Sequence, residues 1–217
     1  MAIFKTVSLA DQVFEKLEND IIAGVYPRGE ILTELKLVEQ LGVSRTPIRE
    51  ALRRLEQERL IKETGKGSLV TGITVEDLVD IMEIRQRIEG IAAAYATRNM
   101  TQEGLERLRQ INELQDFYYE KKDLDRLREV DDQFHDAIYE LSGSMVFCDT
   151  LRPLHKKTQR YRRLSSDDHE RLAASVAQHK EIFHAIEQGD AELAQRLITE
   201  HIEAAKQHMI GRFGYHG

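Results

Sequence analysis

Beyond residue 73 the sequence contains no stretch that alternates apolar and polar residues as a half-buried strand must. Apolar positions recur there at intervals of three and four, the period of an amphipathic helix. Six such stretches follow one another, at roughly 75–98, 102–121, 124–142, 145–164, 168–188 and 190–211. The breaks between them are Asn99-Met100-Thr101, Lys122-Asp123, Ser142-Gly143-Ser144, Ser165-Ser166-Asp167 and Gly189-Asp190, each with a capping or turn-prone residue. Pro153 is expected to kink the fourth helix. Only 3 Pro and 13 Gly occur in 217 residues, too few turn formers for an all-β fold.

The first 73 residues read differently. Leu9, Val13, Leu17 and Ile21 mark a helix that should stop at Gly24, ahead of Pro27. Arg28 to Leu32 is short enough for a small strand. Thr33 is placed to cap a second helix with Leu37, Val38 and Leu41 inward, and Gly42 makes a turn. Ser44 is the expected N-cap of a third helix, with Pro47 in its first turn, where a missing N–H does no harm. Ile48, Ala51, Leu52 and Leu55 form that helix's buried face. Leu60–Thr64 and Ser68–Val70 flank Gly65-Lys66-Gly67 as a hairpin. This is the order of a winged helix-turn-helix. The expected fold is therefore mainly α, with a winged helix-turn-helix over 1–73 and an all-helical bundle over 74–217. The linker Thr71-Gly72-Ile73-Thr74 is short.

Net charge is −7, which on its face opposes a nucleic-acid partner. The distribution does not. Residues 1–73 hold 11 basic and 11 acidic residues, and 44–66 hold 7 basic against 4 acidic. Arg45, Arg49 and Arg53 share one stripe of the third helix, roughly 110° around from its apolar face. A helix entering the major groove by its N-terminus brings Ser44, Arg45, Thr46 and Arg49 to bases and phosphates. Arg53 extends the stripe, and Lys66 at the hairpin tip is placed to reach a neighbouring groove or the backbone. Three arginines on one helix also describe an ordinary solvated face. The Leu-Gly-Val turn before them, the capping Ser and the hairpin after them favour double-stranded DNA.

All eight histidines follow residue 134. Asp131 and His135, four apart on one helix, point the same way. His179 and His201 stand on two later helices joined by the Gly189-Asp190 turn, and an antiparallel pair brings them together. One carboxylate and three imidazoles make four ligands for a divalent ion with coordination positions to spare. Asp/His pairs at this spacing also arise by chance, and on composition His155, His169, His184, His208 and His216 are equally eligible. The same set would serve a metal-dependent hydrolase, although no residue is placed as a general base beside it.

Several classes are excluded or disfavoured. No run approaches eighteen apolar residues, so no membrane span is expected. The N-terminus MAIFKTVSLADQ lacks an apolar core and cleavage site, which points to the cytoplasm. A single cysteine, Cys148, rules out an intrachain disulfide and a multi-cysteine zinc site.

Residues 9–71 resemble the N-terminal domain of the GntR family of bacterial transcriptional regulators, through GVYPRGEILTE, LVEQLGVSRTPIREALRRLEQERLI and GKGSLV. The resemblance implies operator contact by Arg45, Thr46 and Arg49, with Gly67 shaping the wing. The chain departs at Arg59, where the family usually has Gly, and at Leu35, where some members place a DNA-contacting Arg that Lys36 would have to replace. Residues 75–210 resemble the FCD ligand-binding domain through EIRQRIEGIAAAYA, DDQFHDAIYELSGS and HKEIFHAIEQGDAELAQRLITEH. Its metal ligands map onto Asp131, His135, His179 and His201, with Asp132 out of register and Ser144 in place of the usual Asn. Zinc is the first expectation, with nickel and manganese as alternatives. Arg85 matches an arginine that faces the effector, unless it pairs with Glu89 one turn on; Arg152 and Tyr139 are weaker candidates. What the resemblance implies is a homodimeric, metal-containing, ligand-responsive regulator, a repressor by preference, acting on a palindromic operator and controlled by a small organic or sugar acid. A metal-dependent enzyme and a constitutive DNA-binding structural protein are the competing classes.

Overall fold

The computed structural model describes residues 8–165 and 168–213. The break expected at Ser166-Asp167, His216 and the first seven residues lie outside the described residues. The chain divides into two compact units, Met1–Thr74 and Val75–Gly217.

In the first unit α1 spans Leu9–Ala23. A capping box starts it, with Asp11 N–H donating to Ser8 Oγ at 3.1 Å and Ser8 N–H to Asp11 Oδ2 at 3.2 Å. β1 is only Ile31–Leu32, because Pro27 to Glu30 form a turn in which Glu30 N–H donates to Pro27 O. Thr33 caps α2 (Glu34–Leu41) through the Lys36 N–H. Ser44 stands at the N-cap of α3 (Arg45–Gln57), but its hydroxyl makes no capping bond. β2 (Ile61–Thr64) and β3 (Gly67–Val70) form the hairpin, and the sheet order is β1-β3-β2, all antiparallel. Leu17, Ile21, Leu32, Leu37, Ile48, Leu55 and Leu60 fill the core between helices and sheet.

The second unit comprises α4 (Val75–Arg98), α5 (Gln102–Lys121), α6 (Leu124–Leu141), α7 (Met145–Ser165), α8 (His169–Glu187) and α9 (Ala191–Phe213). The expected helices are all present, with ends shifted by no more than two residues, and α7 runs uninterrupted through Pro153. α4 lies against α6, α7 and α9, while α5 packs on α6 and α8. Gly90 sets the approach of α4 to α9. A Cβ there would stand 2.5 Å from Thr199 Oγ1 and 2.9 Å from the Gln195 carbonyl. Four helices, α4, α6, α8 and α9, thus point their inner faces at one another.

Arg59 stands where a glycine would end α3 best. Its φ is 59°, in the left-handed region, and its N–H donates to Glu56 O at 2.9 Å. The side chain strains this conformation by about 1–2 kcal/mol, partly offset in a glycine by greater freedom of the unfolded chain. Arg59→Gly is therefore expected to stabilise the first unit by up to about 1 kcal/mol, and Arg59→Ala not at all. Denaturant titrations of the three proteins check this, and equal midpoints would contradict the strain.

Candidate functional site

The two units each present a surface for chemistry. On the first, α3 buries Pro47, Ile48, Ala51, Leu52 and Leu55 and turns Arg45, Thr46, Arg49 and Arg53 to solvent. Ser44 and Lys66 are exposed as well. Gly67 opens β3 with φ 127°, and a Cβ there would meet the Leu32 carbonyl at 2.6 Å, so only glycine lets β1 close on the hairpin. Lys36, the possible stand-in for a DNA-contacting arginine, binds Glu30 at 2.7 Å. Arg49 binds Glu34, whose carboxyl is held below its usual range by that hydrogen bond.

On the second unit, α6 brings Asp131 and His135, α8 brings His179 and α9 brings His201 to one place. Ring nitrogens of the three histidines lie within 4.8 Å of one another, and all three residues are buried. Each Nδ1 faces an oxygen: Glu89 Oε2 at 3.0 Å for His135, Gln115 Oε1 at 2.9 Å for His179 and Gln178 Oε1 at 3.0 Å for His201. An oxygen partner requires Nδ1–H, which leaves the lone pair of a neutral ring on Nε2. His179 Nε2 and His201 Nε2 stand only 3.2 Å apart. Two lone pairs so placed call for a cation between them. A proton is opposed, since burial pushes the His179 pKa down to about 3 and that of His201 well below its ordinary value. Phe134 stacks on the His179 ring, with centroids 4.2 Å apart, and fixes its plane. Asp131 turns Oδ1 toward His179 Nε2, 3.9 Å away, while Arg162 takes Oδ2. Burial works against the charged form of Asp131, but the Arg162 guanidinium outweighs it and lowers its pKa. This donor set fits a divalent ion.

A second buried network adjoins the first. Arg85 Nε donates to Glu89 Oε1 at 2.5 Å, its Nη2 meets His155 Nδ1 at 2.7 Å, and both Arg85 and Glu89 are almost fully buried. His155 Nε2 meets Asp132 Oδ1 at 2.7 Å, and Arg162 Nη1 reaches the same oxygen at 2.5 Å. The ion pair with Glu89, weighed above for Arg85, is present. Tyr139 is buried beside His135, and Arg152 pairs with Asp136 and Glu140. Of the other histidines, His184 binds Glu187 at the surface and His169 is exposed.

The histidines line a cavity of about 90 Å³. Apolar walls come from Met82, Leu127, Leu172, Val176, Ile202 and Met209, and Arg85, Arg162, Arg171 and His208 supply polar edges. Sequence reasoning did not find Arg171 and His208 as lining residues. Arg171 donates to Gln178 Oε1 at 3.2 Å, and burial lowers its pKa. Among the described residues His208 Nε2 is buried without a hydrogen-bond partner. Nothing in the local sequence of either residue signals a cavity, because their neighbours there are far away in the chain.

A winged helix-turn-helix with an exposed arginine stripe on α3, joined to an all-helical unit, is the architecture of a DNA-binding class of protein. The profile described as "Bacterial regulatory proteins, gntR family" matches residues 9–70, and that of the FCD domain matches 80–204. The HTH-type transcriptional repressor RspR of Escherichia coli (strain K12) is 29% identical over 199 residues, covering 91% of this chain and 87% of RspR. A regulator from an unstable DNA locus of Streptomyces ambofaciens is 32% identical, covering 88% of this chain and 81% of its own length. The solved structure of E. coli McbR/YncC superposes with a TM-score of 0.81 at 25% identity, covering 96% of this chain and all of that one. The chain belongs to the GntR family, in the branch that carries an FCD domain. It is a DNA-binding regulator and not an enzyme. Among the described residues no helix is long and apolar enough to cross a membrane.

The buried imidazoles make stability pH-dependent. An unfolded histidine titrates near 6.5. In the fold burial pushes His155 to about 4 and His179 to about 3. The unfolded chain therefore takes up protons first as pH falls, and stability is lost progressively from about pH 6.5 toward 4. Melting temperatures of chelator-treated protein are expected to be level above pH 7 and to drop through that window. A level profile down to pH 4 would refute the buried neutral rings.

Proposed function

We propose that this regulator is a homodimeric repressor of a palindromic operator, with a metal-containing pocket that senses a small organic or sugar acid. The observation that carries the reading is the convergence of three buried imidazoles on one place in the cavity of the second unit. Asp131, His135, His179 and His201 would hold the ion, with zinc the first choice and nickel or manganese as alternatives. When bound there, a divalent ion supplies a positive centre and a coordination position for a carboxylate. Arg171 and His208 Nε2 stand on the same cavity to take the rest of an acidic effector. Arg85, assigned to the effector by the family resemblance, lines the cavity too. Its guanidinium is engaged with Glu89 and His155, so its part is to hold Glu89 against His135.

Binding in this cavity releases DNA only if the effector prefers an arrangement of the dimer that misplaces the recognition helices. The dimer itself is supported by an apolar seam on α4. Ile84, Ile91 and Tyr95 are 40–46% exposed, with Ile88 half-buried between them, and the spacing of four, three and four keeps them on one face. Two copies of α3 related by a two-fold axis would then read two half-sites about one helical turn apart.

His179→Ala is expected to abolish stoichiometric metal, lower the melting temperature and make it insensitive to chelator, while operator binding without effector persists. Metal analysis and melting curves with and without chelator check this. Full metal content in the variant would sink the site. Ile91→Arg is expected to convert the dimer to monomer in sedimentation at micromolar concentration, and an unchanged dimer would remove the seam from the account.

A further inference from the structure

The three arginines of the α3 stripe are not equivalent. Among the described residues Arg45 and Arg53 have no hydrogen-bonded carboxylate, whereas Arg49 Nε donates to Glu34 Oε1 at 2.7 Å. Glu34 is the first residue of α2, where the helix N-terminus favours a carboxylate, and it reaches the fifth residue of α3. The side chains of Glu34 and Arg49 keep 35% and 64% of their exposure, so the pair lies open to solvent. It also lies in the groove between α3 and the wing, beside Arg53, Gly67 and Ser68.

An exposed ion pair of this kind adds little to stability. For a phosphate contact it is a handicap, since the carboxylate cancels the guanidinium charge and repels the DNA backbone. For reading a base it is an advantage. A guanidinium carries five N–H donors in a fixed plane. With Nε engaged by Glu34, the plane is held and the Nη1 and Nη2 donors remain for O6 and N7 of a guanine, which accept two parallel hydrogen bonds. The carboxylate also removes the alternative, because a phosphate would have to approach past it.

We infer that Glu34 is a specificity-determining residue of this regulator: it commits Arg49 to a guanine and keeps it off the phosphates. Arg45 and Arg53, without such a partner, supply the positive charge that the backbone needs.

The test uses full-length protein and selection from a random duplex library, followed by titrations on the selected site and its single base-pair variants at several salt concentrations. In the wild type one guanine per half-site is preferred by about 5- to 150-fold, the range for a bidentate pair. Arg49→Ala relaxes that position. Glu34→Gln relaxes the same position, binds unrelated duplex more tightly and steepens the salt dependence by about 0.9, because the freed guanidinium gains a phosphate. Arg49→Lys, which keeps the charge but not the fork, loses the preference without flattening the salt dependence. The inference is overturned if Glu34→Gln keeps the wild-type preference at every position. It is equally overturned if Arg49→Ala weakens all sequences alike and flattens the salt dependence by about 0.9. Thermal melts matching the wild type establish that the exposed substitutions leave the fold intact, and Arg49→Lys separates charge from geometry should Glu34→Gln fail that control.

Discussion

Glu89 lies in the middle of α4 with 1% of its surface exposed, and the second unit is organised around its carboxylate. One oxygen takes the Arg85 Nε–H and the other the His135 Nδ1–H. Burial alone would raise the pKa of such a group, but Arg85 and His135 reverse this and hold it well below the ordinary carboxylate range. Removing Arg85 would leave Glu89 as an uncompensated buried charge, a loss of about 3–5 kcal/mol. The arrangement is therefore costly to disturb and weak as a source of stability. What it provides is orientation: α4 fixes a ring on α6, and that ring's remaining nitrogen is directed by the bond on its other side.

The same logic recurs at the other two rings. Gln115 on α5 sets His179, and Gln178 on α8 sets His201. Three different helices thus present imidazoles whose tautomers are fixed by three different acceptors. Arg162 on α7 does the corresponding work for Asp131, and through Asp132 it ties the histidine cavity to His155 and Arg85. A ligand that shifted any one of these groups would be felt by helices α4, α6, α7, α8 and α9 together.

Much of this was legible in the sequence, and for definite reasons. The period of three and four in residues 75–211 has one structural solution, and the capping residues mark where each helix must stop, which is why helix ends fell within two residues. The four-residue spacing of Asp131 and His135 placed both on one side of α6 without any tertiary information. Pairing His179 with His201 needed only the turn at Gly189-Asp190. The acceptors behind the rings were not legible, because Glu89, Gln115 and Gln178 owe their role to contacts as many as 64 positions away in the chain. Arg171 and His208 escaped for the same reason. Ser44 shows the opposite error: its position was correct, but the sequence implied a capping bond that its hydroxyl does not make. The strand read over Arg28–Leu32 shrank to Ile31–Leu32, since a turn at Pro27–Glu30 takes up the rest.

The central claim is that His135, His179 and His201 each turn Nδ1 to an oxygen acceptor and thereby present Nε2 to one common point. Nitrogen-15 spectra of the imidazoles measure this directly, first in chelator-treated protein and then with one equivalent of zinc. The account predicts three rings with protonated Nδ1 and bare Nε2 at pH 7.5, whose Nε2 resonances alone shift together to metal-bound values on addition of zinc. Rings protonated at Nε2 in the metal-free protein, or zinc that shifts the Nδ1 resonances or none, would contradict it.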